Sequence, residues 1–242
     1  MKNTVKYILQ KLLGFQFYLY VFSLFKIWTL RTDSKEKGFF HFLSLLKDGE
    51  GSVLDVGANI GIMTVHLGQK LPHSMIHAFE PMPYNISVLK KVITKFKLKS
   101  VKLHEIALGD SIGNVKMVLP EYGKTKMQGL SHVKHESITE WNEGQEFEVP
   151  LNTLDNLISS EKIQGIKIDI ENFEYFALKG GRQILEKDHP VIYAELWDNQ
   201  NRVNCFELLK ELSYEIFIVK DNQLIPYDTM KHKGQSFIFI SN

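Results

Sequence analysis

A doubly wound, mostly parallel α/β sheet is the fold class predicted by this sequence, on three observations. From residue 52 onward, short apolar runs alternate with segments of helical periodicity. That is the pattern of parallel strands joined by crossover helices. The runs end in glycine or in a carboxylate, and such sheets place their ligands just beyond the carboxyl ends of the strands. The 242 residues are 44% hydrophobic and 24% charged. Those values suit one large domain, with or without a short appendage, and exclude a disordered chain, a collagen-like repeat or a bundle of membrane spans.

The elements follow in order. Residues 52–56 (SVLDV) form a buried strand, 61–70 a helix stopped near Pro72, and 75–80 a second strand. Residues 83–97 are helical, with Pro83 suited to the first turn. Residues 101–106 make a third strand, and 115–119 and 147–151 two more around a polar stretch. A short helix over 154–158 precedes a strand over 165–170 (GIKIDI). A helix over 173–186 is broken at Gly180-Gly181, and 191–195 (VIYAE) is a strand. A helix over 201–212 and strands over 214–219 and 236–240 complete the chain.

The first 32 residues differ from the rest. They carry Lys2, Lys6, Lys11, Lys26 and Arg31 and no acid, against a net charge of +1 for the whole chain. Val5, Ile8, Leu9, Leu12 and Leu13 recur at helical spacing. An aromatic-rich run over 15–30 follows, shorter than the roughly 20 residues that span a bilayer. A basic start also suits a signal peptide, but no small-residue cleavage site follows. Two readings stand for this N-terminal helical region, taken as 1–48: an interfacial helix on an anionic membrane, or helices covering the domain that occupies 49–242. The near-neutral charge gives no global pull toward nucleic acid. The single cysteine, Cys205, excludes an internal disulfide framework and points to a reducing, cytoplasmic setting.

The segment Asp55-Val56-Gly57-Ala58-Asn59-Ile60-Gly61 links the first strand to its helix. Gly57 and Gly61 permit a tight turn beside a ligand, and the helix start offers free N–H groups to an anion. The G-x-N-x-G spacing is not the G-x-G-x-x-G of dinucleotide enzymes. Asp55 suits a ligand bearing an ammonium group, and Glu80, ending the second strand, can accept ribose hydroxyls. A ribose joined to an amino acid describes S-adenosylmethionine. A second polar cluster lies at 167–171. Lys167, Asp169 and Glu171 share one face of an extended strand, and Glu195 ends the next one. Charges on a central strand are costly to bury unless paired. They are therefore read either as a self-satisfying ion pair or as catalytic groups.

These pieces resemble the FkbM family of S-adenosylmethionine-dependent methyltransferases. The resemblance runs over residues 52–195, through VLDVGANIG (53–61), HAFEP (77–81), ALGDSIGNV (107–115), VPLNTLDNLI (149–158), IKIDIENFE (166–174) and the break at 178–181. It implies a class I methyltransferase (Rossmann-like) sheet of order 3-2-1-4-5-7-6 with an antiparallel last strand. It also implies methylation of a hydroxyl, often on a sugar, glycan or glycosylated product. Asn172 stands where the family usually has glycine; asparagine tolerates a left-handed backbone best after glycine. Ser213-Tyr214 replaces a frequent Gly-Tyr.

On this resemblance, Asp55 and the turn through Gly57, Ala58, Asn59 and Gly61 hold the methionine portion. Glu80 and Pro81 meet the ribose, and Ala107 and Leu108 border the adenine. Asp169 or Glu171 is the candidate base, with Lys167 tuning it or itself acting as base, and Glu195 alongside. A divalent cation on Asp169, Glu171 and Glu195 is the alternative. Residues 121–146, polar and containing Gly123, Gly129 and Gly144, are read as a substrate lid whose 129–132 segment reaches the site. His132 and His135 give a metal or base signal, against which stands simple solvation; His66 and His77 are read as packing and capping groups. Two rivals remain: a membrane-peripheral scaffold on an inactive fold, and a nicotinamide oxidoreductase, which the turn spacing does not fit. The acceptor and the oligomeric state are not specified by sequence.

Overall fold

The structure, a computed structural model, describes residues 2–138, 140–158 and 160–241. Met1 of the basic start and Thr139 of the expected lid lie outside the described residues. Helices α1 (Lys2–Leu13) and α2 (Phe15–Thr29) and two short 3-10 turns lead into α3 (Lys37–Leu45). The main sheet then begins with β1 (Ser52–Val56), α4 (Ile62–Lys70), β2 (Ile76–Phe79), α5 (Pro83–Lys95) and β3 (Val101–His104). A second sheet is built from β4 (Ala107–Leu108), β5 (Gly113–Tyr122), β6 (Thr125–Lys126), β7 (His132–Val133) and β8 (Gly144–Asn152). After α6 (Leu154–Leu157) come β9 (Ile163–Ile168), α7 (Glu174–Lys179), α8 (Arg182–Asp188) and β10 (Val191–Glu195). The chain finishes with α9 (Gln200–Glu211), β11 (Tyr214–Lys220), β12 (Gln223–Pro226) and β13 (Ser236–Ser241).

The main sheet runs β3-β2-β1-β9-β10-β13-β11-β12. The first five strands are parallel, and β13 is antiparallel to both its neighbours. This is the expected seven-strand order with one strand added. The addition, β12, pairs with β11 through a two-residue turn at Asp221 and Asn222. Both turn residues are left-handed (φ 50° and 63°), as a turn matched to the sheet twist requires.

Every residue of β1 is buried because it lies between β2 and β9, with helices on both faces. One face packs Leu54, Ile166, Ala194 and Phe239 against Leu178, Leu185 and Leu209 of α7, α8 and α9. The other packs Val53, Ile76, Tyr193 and Ile238 against Phe39 and Phe42 of α3 and Leu67 of α4. Each fully buried Leu or Phe contributes about 2 kcal/mol. Because α3 fills the sheet's own core, the boundary expected at residue 48 does not separate two cores. Helix α2 packs on α4 and α5, and its Ser23 hydroxyl donates to the carbonyl of Ile60 at 2.8 Å.

Four expected strands end differently. The third stops at His104 rather than 106, since the chain crosses to the second sheet, where Ala107 and Leu108 pair with β8. The strand expected over 165–170 runs from Ile163 to Ile168, because its partner β1 ends at Val56, where Gly57 turns away. Asp169 and Glu171 therefore leave the sheet instead of sharing a face with Lys167. The strands flanking the expected lid lengthen into a hairpin, β5 to Tyr122 and β8 from Gly144. Only the segment between them, carrying β6 and β7, remains to cover the site.

Candidate active site

The carboxyl ends of β1, β2 and β9 open into a cleft holding about 630 Å³ of empty space, part of it open to solvent. A cleft at the carboxyl ends of the strands is where a sheet of this kind takes its ligands. The glycine turn forms one wall. Gly57 has φ 79°, and a Cβ there would lie 1.9 Å from the carbonyl oxygen of Asp169. The turn can thus pass against the β9 loop only without a side chain. Gly61, also left-handed (φ 85°), starts α4, and a Cβ on it would meet Leu89 at 2.7 Å. Asn59 adopts φ 50° and aims its backbone N–H at Glu80 Oε2 (2.8 Å).

Glu80 anchors the cleft. Its Oε1 accepts from the Met82 N–H (2.9 Å) and from Asn85 Nδ2 (3.2 Å). Burial pushes its carboxyl up to about 7 in spite of these three donors. Two buried polar atoms on the cleft residues, Asn59 Oδ1 and Ser131 Oγ, have no hydrogen-bond partner. Buried polar atoms are normally satisfied, so a ligand that supplies partners fits here.

Of the residues expected to bind cofactor, Gly57, Asn59, Glu80, Pro81, Ala107 and Leu108 line the cleft. Asp55, Ala58 and Gly61 are not among its lining residues. Ala58 packs on Ala78 and Leu89 beneath the turn. Asp55 is fully buried; its Oδ2 accepts from the Thr64 hydroxyl (2.6 Å), and its Oδ1 lies 3.2 Å from Lys167 Nζ. Asp55 thus meets a lysine of its own chain, in place of the expected ligand ammonium.

The expected catalytic residues divide in the same way. Asp169 and Glu171 line the cleft, whereas Lys167 and Glu195 do not. Lys167 donates to the carbonyls of Gly57 (2.7 Å) and Val56 (3.3 Å) and so ties β9 to the glycine turn. Burial alone lowers an ammonium, but Asp55, Asp169 and Glu195 together outweigh it and hold Lys167 above its ordinary range. A lysine base made available by desolvation is thereby overturned. Burial raises the Asp169 carboxyl, with Lys167 pulling the other way. Burial and the charges of Asp169, Glu174 and Glu195 push Glu171 to about 9, and burial with Asp169 pushes Glu195 to about 7.

The loop after β9 is held by a group that sequence reasoning missed. Glu174 Oε1 accepts from the N–H groups of Ile170 (2.9 Å) and Asn172 (3.2 Å). It pins a turn in which Glu171 (φ 54°) and Asn172 (φ 76°) are both left-handed. Asn172 accepts from Asn199 through its side chain and from Asn201 through its carbonyl, each at 2.9 Å. Asparagine therefore keeps the left-handed turn and adds a side-chain tie to Asn199, the residue that caps α9.

Glu174 is fully buried, and burial lifts its carboxyl to about 8. A carboxyl raised on folding stabilises fully below its unfolded value of about 4.5, and that contribution is lost as pH rises through about 8. Glu174→Gln keeps an acceptor oxygen without the charge. Its melting temperature, followed by circular dichroism, is expected to match the parent near pH 5 and to exceed it near pH 9. An equal offset at both values would refute this account.

Asn85 and Gln128 also reach the cleft with no sequence signal to mark them, and the cleft meets the 129–132 segment expected at its mouth. Gly129 and Ser131 do line it; His132 is fully buried on Leu130 and Asn142, not solvated. His135 bonds Ser137 and packs on Phe173 and Phe176. Among the described residues no group of three His, Cys, Asp or Glu side chains is arranged to hold a metal ion. His66 meets the Ile27 carbonyl, and His77 joins His104 and Glu161.

The family model of the methyltransferase FkbM domain matches residues 55–219, more than half of the chain. The protein belongs to the FkbM methyltransferase family. Similar curated proteins include methyltransferase 1 of Beauveria bassiana, 25% identical over 61% of this chain. Another is methyltransferase sdnD of Sordaria araneosa, 27% identical over 68% of this chain and 73% of its own length. The crystal structure of an FkbM methyltransferase from Methylobacillus flagellatus aligns over 99% of this chain at 14% identity with a TM-score of 0.55, a likeness of fold. The chain spans 65% of the length of the Beauveria protein and 59% of the crystallised chain.

Proposed function

We propose that this methyltransferase moves the methyl group of S-adenosylmethionine to a hydroxyl oxygen of a sugar, glycan or glycosylated metabolite. The observation that carries the reading is one cleft in which Glu80, Asp169, Glu171 and the unpartnered Asn59 Oδ1 and Ser131 Oγ converge. Such a set suits a polar ligand with a ribose at one end and a proton-losing acceptor at the other.

When bound, S-adenosylmethionine supplies a methyl group already activated on a sulfonium cation. Glu80 would accept the ribose hydroxyls, and the Gly57–Asn59 turn would lie along the methionine portion. Ile106, Ala107 and Leu108 would border the adenine. Asp55, fully buried beneath the turn, fixes Lys167, which holds the turn by its carbonyls. Asp169 is the base that takes the acceptor's proton; burial raises its carboxyl, and Lys167 works against that rise in favour of the charged form. Glu171, held protonated near neutrality by burial and its acidic neighbours, would donate a hydrogen bond to the acceptor. Residues 126–133 act as the lid that shuts out water and aligns the two reactants.

Calorimetric titration with S-adenosylhomocysteine, with NAD as control, tests the cofactor. Binding of the first and not the second is expected; no binding by a folded sample would defeat the reading. Asp169→Asn is expected to lower methyl turnover by about 100-fold or more while S-adenosylhomocysteine still binds. Near-normal turnover would remove Asp169 from the role.

A further inference from the structure

The N-terminal helices expose apolar side chains that the fold does not need. Val5, Ile8, Leu9 and Leu12 form one stripe on α1, at 52%, 47%, 40% and 76% exposure. Phe17, Val21, Phe25 and Trp28 form another on α2, at 54%, 42%, 59% and 76%. The opposite side of α2 already buries Tyr18, Leu19, Ser23 and Ile27. A surface helix without a partner would carry polar residues on its outer side.

The charge around the stripes is basic. Residues 1–32 contain no acid, and Lys11 is exposed beside Leu12. Helix α5, packed on α2, adds exposed Lys91 and Lys95 near Tyr20. A second copy of this chain seated here would set positive charge against positive charge. A surface of anionic lipid headgroups complements both the charge and the apolar stripes. Helices α1 and α2 meet at 118° across Gly14, and among the described residues no single helix is long and apolar enough to cross a membrane. Helices of this kind lie in the interface, with Trp at headgroup level.

We propose that the outer face of α1 and α2 seats this protein on an anionic lipid bilayer. The seat is tied to the cleft. Gln10 Nε2 donates to the Lys126 carbonyl (3.0 Å), and the Lys126 N–H donates to Gln10 Oε1 (3.2 Å), two residues before cleft-lining Gln128. A lipid-borne hydroxyl acceptor is the substrate class that such a seat presents. That consequence rests on the methyl-transfer reading; the lipid binding does not.

The test is co-sedimentation of the full chain with vesicles, without cofactor. Vesicles of equimolar phosphatidylcholine and phosphatidylglycerol are expected to pellet the protein, vesicles of phosphatidylcholine alone to pellet far less, and added salt to weaken the binding. Leu12→Glu with Trp28→Glu, both at exposed positions, is expected to reduce pelleting about ten-fold while the circular dichroism spectrum is retained. No pelleting on the anionic vesicles, or pelleting indifferent to the double substitution, would overturn the proposal. So would a dimer in sedimentation velocity that the same substitutions dissolve. Loss of S-adenosylhomocysteine binding would strike the methyl-transfer reading and leave the vesicle result standing.

Discussion

Lys167→Met is expected to destabilise the fold by about 3–5 kcal/mol, the cost of leaving one partner of a buried ion pair uncompensated. Asp55 is 0% exposed, and without Lys167 its remaining hydrogen-bond partner is the Thr64 hydroxyl. The Gly57 carbonyl loses its lysine donor in the same change. The loss is not one of area, since methionine fills most of the space that the lysine stem occupies. It is the desolvation of a carboxylate that no water can reach. Chemical denaturation of the full chain measures it. Adding Asp55→Asn to Lys167→Met removes the stranded charge and is expected to restore part of the stability. A cost below about 1 kcal/mol for the single change would show that the pair does not matter in the way argued.

Gly57→Ala is expected to have the second large effect, about 3 kcal/mol, from left-handed strain together with displaced backbone. The added Cβ would sit 1.9 Å from the Asp169 carbonyl oxygen and 2.9 Å from its carbon. Backbone cannot yield as a flexible side chain would. The ends of β1 and β9 must part, and Asp169 moves with them, so S-adenosylhomocysteine affinity is expected to fall as well. Gly129→Ala is the control. Gly129 lines the same cleft, yet a Cβ there meets nothing within 4 Å, and the change is expected to cost about 0.5 kcal/mol or less. Equal costs at both positions, measured by urea unfolding, would contradict the steric account.

The carboxylates show how far pattern reading reaches. Glu80 was legible because a strand end followed by proline places a side chain at the sheet's carboxyl edge, whatever the rest of the fold does. Asp169 and Glu171 were legible as site residues, but their shared strand face was not real. That face depends on how far β1 continues as a partner, and β1 stops where Gly57 turns. From sequence, Lys167 is open to reading as an ion-pair partner of Asp169, a tuning group or a base, and Asp55 as the partner of a ligand's ammonium. Each is in fact the other's counter-ion, and the two lie on strands joined only after more than 100 residues of intervening chain. Asn85 carried no motif, and Ser131 only its place in the segment expected at the mouth. They arrive at the cleft through the first turn of α5 and the antiparallel pairing of β7 with β5.

Sequence by itself determined the alternation of strands and helices, the strand order through the family resemblance, the G-x-N-x-G turn and the left-handed Asn172. All but the strand order rest on period, turn chemistry and the allowed backbone of single residues, which act within a few positions. Tertiary structure alone decided which charges face the cleft and which neutralise one another. It also joined α3 to the sheet's core and left the outer stripes of α1 and α2 uncovered. The physical reason is that a side chain's surroundings are set by the strand or helix that packs beside it, and that neighbour comes from distant chain.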